Sequence, residues 1–580
     1  MKNILRFLIP YYSRYKKQLV LGFGSLILKD LFHAAQPLVI RSGIDSLQKQ
    51  FAMEAVFWFA AGMVGLALLK GFFQYWMRVI LIGVSRDIEY DLRNDMFGHL
   101  TTLSQDFYTK YRTGDIMARS TNDLNAVRMM LGPGLMYWTE TGLTLILSIT
   151  VMSLADWRMT MTALLPAPFV SIAVIYFGSR IHERFEKIQE MFSTISSRIQ
   201  ENLAGVRVVR AYVQEQHELQ EFERMNLEYI DHNIRLARLS GLFYPLLQSL
   251  VGLTFLAVLL AGGYRMLQGK LTPGTFVMFS TYMGMLIWPM IAVGWVVNLI
   301  QRGRASVERI QEMLAQKPTV VAPPDAVQLS EPVRGEIQFD HVTVEYPAGA
   351  ALRDLNLKIA GGTTVALVGH TGSGKTSAIS LIPRLMDPTR GIVSVDGVDV
   401  RKLDPQELRR HIAIVPQETF LFSSSIADNI ALGVRKASKE EIQRAADIAG
   451  LSPDIGSFPN GLDTLVGERG ITLSGGQKQR TAIARAILRN PRILVLDDAL
   501  SAVDTVTEER ILQGLAGVMQ GRTTILISHR VSTVRHADRI FVIENGAVAE
   551  EGTHDELLAI GGYYADLHQR QLLEEELETA

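Results

Sequence analysis

Six stretches long and apolar enough to cross a lipid bilayer fall within the first 315 residues, and they decide most of what this chain can fold into. A spanning helix needs about 20 mostly apolar residues. The windows lie at 18–44, 56–84, 133–154, 159–177, 239–262 and 275–299. Only Ala155-Asp156-Trp157 separates the third from the fourth, and residues 264–272 separate the fifth from the sixth. Two long polar segments of helical periodicity, 85–130 and 179–238, follow the second and fourth windows. The first carries Arg86, Arg93, Lys110, Arg112, Arg119 and Arg128; the second carries nine basic residues from Arg180 to Arg238, and the short hops carry few. Positive charge collects in cytoplasmic loops, which places both termini and both long segments inside. A large soluble helical domain would need neither windows this long nor arginines sorted this way. Residues 1–17 mix apolar residues with Arg6, Arg14, Lys16 and Lys17 and lack a signal-peptide cleavage pattern. They read as an amphipathic helix at the membrane surface.

The physics changes after residue 315. A stretch holding Pro318, Pro323, Pro324 and Pro332 reads as a linker, giving expected divisions of 1–315, 316–335 and 336–580. Beyond it, short β-branched runs at 336–345, 363–368, 412–415, 492–496, 523–527 and 539–543 alternate with helical segments. That alternation indicates an α/β domain with a largely parallel sheet. The expected fold class is therefore an α-helical polytopic membrane domain followed by an α/β domain. Lysine plus arginine (58) nearly cancels aspartate plus glutamate (59), which gives no support to a nucleic-acid partner. Cysteine is absent, which excludes disulfides, iron–sulfur clusters, thiolate metal sites and a cysteine nucleophile.

Val365-Ala366-Leu367-Val368 leads into Gly369-His370-Thr371-Gly372-Ser373-Gly374-Lys375-Thr376 and then, through Ser377, into a helix-compatible run. This is G-x-x-x-x-G-K-[ST] between a strand and a helix, the setting a phosphate-binding loop requires. The glycines let backbone N–H groups wrap phosphates, and the helix N-terminus adds partial positive charge. Lys375 would reach the β- and γ-phosphates of ATP, and the Thr376 hydroxyl would ligate Mg²⁺. A glycine turn with an incidental lysine does not account for the acidic strand downstream. There, Ile493-Leu494-Val495-Leu496-Asp497-Asp498 reads as a buried strand delivering the Asp497 carboxylate to Mg²⁺. ATPases of this arrangement usually follow that aspartate with a glutamate that orients the attacking water. Asp498 is shorter by one methylene, about 1.5 Å. A general base must come within about 2.6–3.2 Å of its proton, and a misplacement of about 1 Å can cost on the order of 100-fold.

Leu473-Ser474-Gly475-Gly476-Gln477 brings a family into view. The C-terminal half resembles the ATPase domain of ATP-binding-cassette (ABC) transporters, whose signature is LSGGQ. The resemblance implies that Ser474, Gly475, Gly476 and Gln477 close over ATP held by the phosphate loop of a second subunit, so that the chain works as a dimer. It also implies that Tyr346 stacks on adenine, that Gln417 contacts Mg²⁺ and senses the γ-phosphate, and that His529 contacts the γ-phosphate. Val466-Gly467-Glu468-Arg469-Gly470 resembles a segment that touches membrane-domain loops, and Ser501-Ala502-Val503-Asp504 one that communicates across the dimer. Asp498 is the departure. In paired exporters, one partner often combines aspartate here with an intact signature, and this chain fits that pattern. The expectation is a slow site on its own phosphate loop and a competent site, completed by its signature, on a heterodimeric partner. A homodimeric lipid or drug flippase hydrolysing slowly through Asp498 is the alternative.

The membrane half resembles the exporter-type domain fused ahead of its ATPase, with local agreement at residues 112–119, 206–212 and 303–310. The whole is similar to bacterial heterodimeric multidrug-resistance-like half-transporters of the inner membrane. Coupling helices are expected near 113–120 and 211–218. Lys29, Asp30, Lys70 and Glu140 sit within apolar windows. Such charges face a cavity or a partner, and pairing between helices, for example Lys70 with Glu140, is weighed above lining of an export path. Trp76, Tyr137, Trp138, Trp288 and Trp295 serve as interfacial anchors or as substrate contacts. The cargo class is hydrophobic or amphipathic: drugs, lipids or peptides. A soluble ABC ATPase of DNA repair or translation, and an ATP-gated channel or regulator, are the competing classes.

Overall fold

The computed structural model describes residues 2–49, 53–347, 349–434 and 436–579. The chain divides into two compact units: residues 1–101 with 113–316, and residues 102–112 with 317–580.

The first unit is helical. It comprises α1 (Lys2–Arg14), α2 (Lys16–Lys49), α3 (Met53–Leu100), α5 (Thr113–Ala118), α6 (Leu124–Met129), α7 (Leu135–Ala155), α8 (Trp157–Leu164), α9 (Ala167–Ala204), α10 (Val206–Ala211), α11 (Glu215–Leu267) and α12 (Pro273–Leu314). The short helix α4 (Gln105–Lys110) belongs to the second unit. Two π-helical turns, at Arg119–Asp123 and Met130–Gly134, join α5, α6 and α7 into one rod. At 1.5 Å per residue, the 48 residues of α3 span about 72 Å, more than twice a hydrocarbon core of about 30 Å. The long polar segments are thus continuations of the spanning helices.

Among the described residues, five rods hold a stretch apolar enough to cross a membrane by length and composition. The expected first span, α2, is helical over 34 residues but is not among the five. Lys29, Asp30 and His33 lie in its middle and lower its hydropathy. Lys29 and Asp30 are buried against other helices.

The short hops are tied to one another. Asp156 caps α8 by accepting from the Arg158 and Met159 amides, and Arg265 forks onto the same carboxylate at 2.6 and 3.0 Å. Asp45, near the end of α2, accepts from the Thr272 hydroxyl and the Gly274 amide at 2.8 and 2.9 Å. The ends of α2, α7 and α11 therefore gather at one end of the bundle, as the charge pattern requires. Toward the other end, Asp123 takes the Arg309 guanidinium and the Ser306 hydroxyl of α12. The amphipathic α1 turns Ile4, Leu8 and Tyr11 inward and is pinned to α3 by Tyr11–Asp95 and Arg14–Asp91, each 2.8 Å.

One expectation about the membrane charges is corrected. The lysine paired with Glu140 is Lys29, which also holds Asp30 at 2.7 Å; Lys70 is not that partner. Packing of α2 on both α3 and α7 turns Lys29 into the bundle, where Glu140 of α7 meets it.

The second unit holds two sheets built from β1 (Ile337–Tyr346), β2 (Gly349–Ile359), β3 (Thr364–Val368), β4 (Arg390–Val395), β5 (Val398–Asp399), β6 (Ile412–Val415), β7 (Ile493–Asp497), β8 (Thr523–Ile527), β9 (Arg539–Glu544) and β10 (Ala547–Gly552). Strands β9-β3-β8-β7-β6 run parallel, as expected, with β10 antiparallel at the edge. The antiparallel sheet β2-β1-β4-β5 is an addition to that expectation. Its β2 interleaves Leu352, Leu355, Leu357 and Ile359 with polar and charged residues, a half-buried pattern.

The parallel sheet sorts its side chains with period two. Ile493 and Val495 of β7 join the core that contains α13 (Lys375–Leu381), while Leu494 and Leu496 join the opposite core with α14 (Gly475–Leu488). The expected linker 316–335 is packed over its second half. Leu329 and Val333 lie in the core, Val327 bridges Leu403, and the Val333 carbonyl accepts from Arg492 at 2.6 Å. Ser104, just ahead of α4, accepts from the amides of Thr319 and Val320.

Candidate nucleotide site

The C-terminal ends of β3, β7 and β8 converge, and each delivers part of one constellation. After β3 the chain turns through Gly369–Gly374 into α13. Gly369 and Gly374 adopt φ of +153° and +104°, and a Cβ there would lie 2.2 Å from the Ile543 carbonyl and 2.4 Å from the Ala351 carbonyl. Only glycine fits both positions, and the result is a loop open to an anion at a helix start.

Lys375 is buried and curls over this loop, donating to the Gly369 and His370 carbonyls at 2.8 Å each and lying 3.4 Å from the Ser373 hydroxyl. Burial pushes its ammonium below the usual lysine range, against the pull of Asp497 and Asp498. Thr376 and Ser377 open α13, while the His370 ring packs edge-on against Tyr563 at 4.5 Å and Thr371 is exposed. Tyr346, at the end of β1, is 43% exposed, with its hydroxyl 3.4 Å from that of Ser377 and 3.3 Å from the Met386 sulfur.

Asp497 lies two residues beyond Val495, so the period of the strand turns it toward α13. There its carboxylate accepts from Thr376 at 3.1 Å. Burial holds the Asp497 carboxyl above the usual range; Thr376, Lys375 and His529 act in the opposite sense, and neighbouring Asp498 adds to the rise. Two hard oxygens on adjacent elements suit Mg²⁺, which takes one or two protein ligands and completes its shell with waters and phosphates. The described residues hold no cluster of three or more His, Asp or Glu able to cage a metal.

Asp498 takes the left-handed conformation at φ +47°. Its amide donates to the Ile527 carbonyl at 2.9 Å, and its carbonyl accepts from the Ser501 hydroxyl at 2.8 Å and the Gln479 amide at 3.4 Å. The backbone is thereby held on both sides. Gln417 is exposed two residues past Val415, which pairs with Leu496 in the neighbouring strand. His529 lies two residues past the end of β8, half-buried, and β8 pairs with the strand that carries Asp497.

The signature is built differently. Ser474 caps α14 by accepting from the Gln477 amide, and Gln477 returns the bond to the Ser474 amide at 2.9 Å. This reciprocal box leaves Ser474 and Gly475 exposed at a helix start. Gln477 also donates to Asp454 at 2.9 Å. Among the described residues, no hydrogen bond or ion pair joins Ser474–Gln477 to the phosphate loop. The structure therefore brings Lys375, Thr376, Asp497, Asp498 and His529 together and leaves the signature facing outward.

Sequence reasoning passed over Gln479. It is buried, accepts from the Ala502 amide at 3.0 Å and donates toward Ser501 and Asp498, tying the signature helix to the loop after the acidic strand. The only signal was a glutamine on the inward face of a helix.

Comparison with known proteins fits this geometry. Residues 19–290 match the family model for the ABC transporter transmembrane region, and residues 352–501 match the model described as ABC transporter. A Bacillus subtilis protein described as "Probable multidrug resistance ABC transporter ATP-binding/permease protein" is 38% identical over 577 residues, covering 99% of this chain and 98% of the relative. The chain belongs to the ABC transporter family. It is an ABC exporter with membrane and ATPase domains fused in one polypeptide, and its ATPase is coupled to transport. The Escherichia coli multidrug resistance-like ATP-binding protein is 36% identical, with coverage of 98% and 97%. An ATP-dependent lipid A-core flippase of Syntrophus aciditrophicus is 33% identical, with coverage of 99% and 95%. A bacterial Atm1-family ABC exporter, solved with ATP bound, aligns with a TM-score of 0.79 at 29% identity over 96% of this chain and 98% of that one. The exporter is an integral membrane protein that binds ATP on a cytoplasmic domain and works as a dimer.

Proposed function

We propose that this exporter is the slow-site subunit of a heterodimer that moves hydrophobic or amphipathic molecules out across the membrane. One observation carries the reading: Asp498, shorter than the usual glutamate and held by its backbone on both sides, follows Asp497 in an otherwise complete set of motifs. ATP would lie on the loop from Gly369 to Thr376, its adenine on Tyr346 and its phosphates against Lys375. Thr376, Asp497 and Gln417 would hold Mg²⁺, which neutralises charge on the β- and γ-phosphates. His529 would contact the γ-phosphate, and the partner's signature would close the site. In this reading Asp498 orients water poorly, so ATP persists here, and Ser474–Gln477 complete a faster site on the partner. ATP then acts as a ligand with different affinity for two global states, closing the ATPase domains and turning the cavity outward. The printed descriptions of the relatives, multidrug resistance and lipid A-core flipping, support cargo with large apolar surfaces.

The test is the chain expressed alone in membranes. The heterodimer reading expects little ATPase activity until a partner is co-expressed. Vigorous hydrolysis by a purified homodimer would overturn it and favour the homodimeric flippase instead.

A further inference from the structure

Behind His529 lies a buried carboxylate that the nucleotide chemistry does not use. Glu508 sits in the first turn of α15 (Thr505–Met519), only 2% exposed. One of its oxygens accepts from the Arg530 guanidinium and the other from the Thr533 hydroxyl. The Thr533 hydroxyl accepts in turn from Ser528 at 3.3 Å, and the Ser528 hydroxyl accepts from the Arg530 amide at 3.0 Å. The residues on either side of His529 are thus both held by one carboxylate. The same Arg530 guanidinium reaches the Val503 carbonyl at 3.2 Å, inside the loop from Ser501 to Asp504. On the opposite side, Gln571 of α16 (Tyr563–Thr579) donates to the His529 carbonyl and accepts from the Val531 amide at 2.7 Å.

A buried ionised group must be paired and hydrogen-bonded to be tolerated, so this arrangement has one low-energy geometry. We propose that Glu508 is a positioning residue for His529: through Arg530, Thr533 and Ser528 it fixes where the imidazole stands, and through Arg530 it ties that position to the Val503 carbonyl in the loop after the acidic strand. Glu508 acts through these residues rather than on the nucleotide. The inference rests on the reading of His529 as a γ-phosphate contact.

The distinguishing property is discrimination between ATP and ADP, since only ATP carries the γ-phosphate. The full-length chain, in the assembly in which it purifies, would be photolabelled with 8-azido-ATP and 8-azido-ADP and read on its own band. Glu508→Gln keeps the shape but loses the charge that holds Arg530, and is expected to weaken ATP labelling about tenfold, the scale of one charge-assisted hydrogen bond. ADP labelling should stay within about twofold. His529→Ala should lose the same discrimination, and Glu508→Gln added to it should cost nothing more. Should Glu508→Gln fail to fold, Arg530→Lys breaks the fork at a partly exposed position and is expected to lower ATP labelling selectively. An equal loss of ATP and ADP labelling, or an added loss in the His529→Ala background, would reduce Glu508 to a purely structural residue and overturn the proposal. If His529→Ala itself left discrimination intact, the γ-phosphate reading of His529 would be the part that fails.

Discussion

The Thr376 hydroxyl donates to the Asp497 carboxylate across 3.1 Å, so the two oxygens suited to Mg²⁺ stand together. The pair is costly, because Asp497 is buried and its carboxyl is held above the ordinary range. A carboxylate raised in the folded state contributes stability below its unfolded pKa and loses it as pH rises through the folded pKa. At neutral pH the ionised Asp497 is therefore a burden on the empty protein. Asp497→Asn is expected to raise the thermal midpoint of the nucleotide-free exporter while removing the Mg²⁺-dependent part of ATP binding. Thermal unfolding and ATP titration, each with Mg²⁺ and with EDTA, check both halves.

Asp497 and Lys375 together set a pH window for binding. Mg²⁺ needs Asp497 ionised, so affinity for Mg-ATP falls as acidification protonates it, at a higher pH than for an ordinary aspartate. Lys375 has the opposite shift, lowered by burial. Phosphate needs the ammonium, so affinity also falls as pH rises through the lowered lysine pKa, earlier than for an exposed lysine. The expected profile of Mg-ATP affinity is a bell. Asp497→Asn should flatten its acid limb and, by removing one of the charges that pull the Lys375 ammonium up, move its alkaline limb to lower pH, a pattern equilibrium binding across pH would reveal.

Asp498→Glu restores the missing methylene on a backbone that is already fixed by Ile527, Ser501 and Gln479. Hydrolysis at this chain's own site is expected to rise by about 10- to 100-fold, the range that acid–base positioning commonly supplies. Vanadate trapping of nucleotide on this chain's band separates it from turnover at a partner's site. No increase would remove the argument that side-chain length limits the site.

The unbroken apolar run of β7, buried at every position, made Asp497 legible, because a buried strand that ends in an acidic residue delivers its carboxylate to the strand tip. Period alone did not reveal the antiparallel sheet: β2 breaks its alternation at Asp354, a residue with φ +53°, and its strand partners lie outside its own sequence. The coupling segments show the same limit. Helical periodicity runs unbroken through residues 85–130, so it could not show that residues 102–112 leave the helical unit and join the ATPase unit ahead of the expected 113–120. The tie of Asp156 to Arg265 is also invisible in sequence, where 109 positions separate them. Membrane windows identify buried charges but not the rotation of each helix, which is why Lys70 stood as the partner that Lys29 proved to be.

That partner choice carries a prediction of its own. Lys29 is the cation shared by Asp30 and Glu140, with its side chain 3% exposed and that of Glu140 24% exposed. Lys29→Met leaves two carboxylates facing each other with no cation between them. Breaking a buried pair in this way costs about 3–5 kcal/mol. Glu140→Gln is different in kind, because Lys29 keeps Asp30 at 2.7 Å and the glutamine carbonyl still accepts its proton. Its expected cost is about 1 kcal/mol or less. Thermal unfolding in detergent should therefore show a large drop in midpoint for Lys29→Met and a small one for Glu140→Gln, with Lys70→Met near wild type. Transport per folded molecule should be unchanged in Glu140→Gln if the cluster fastens α2 to α7. Lost transport with an unchanged midpoint would place Glu140 in the export path instead.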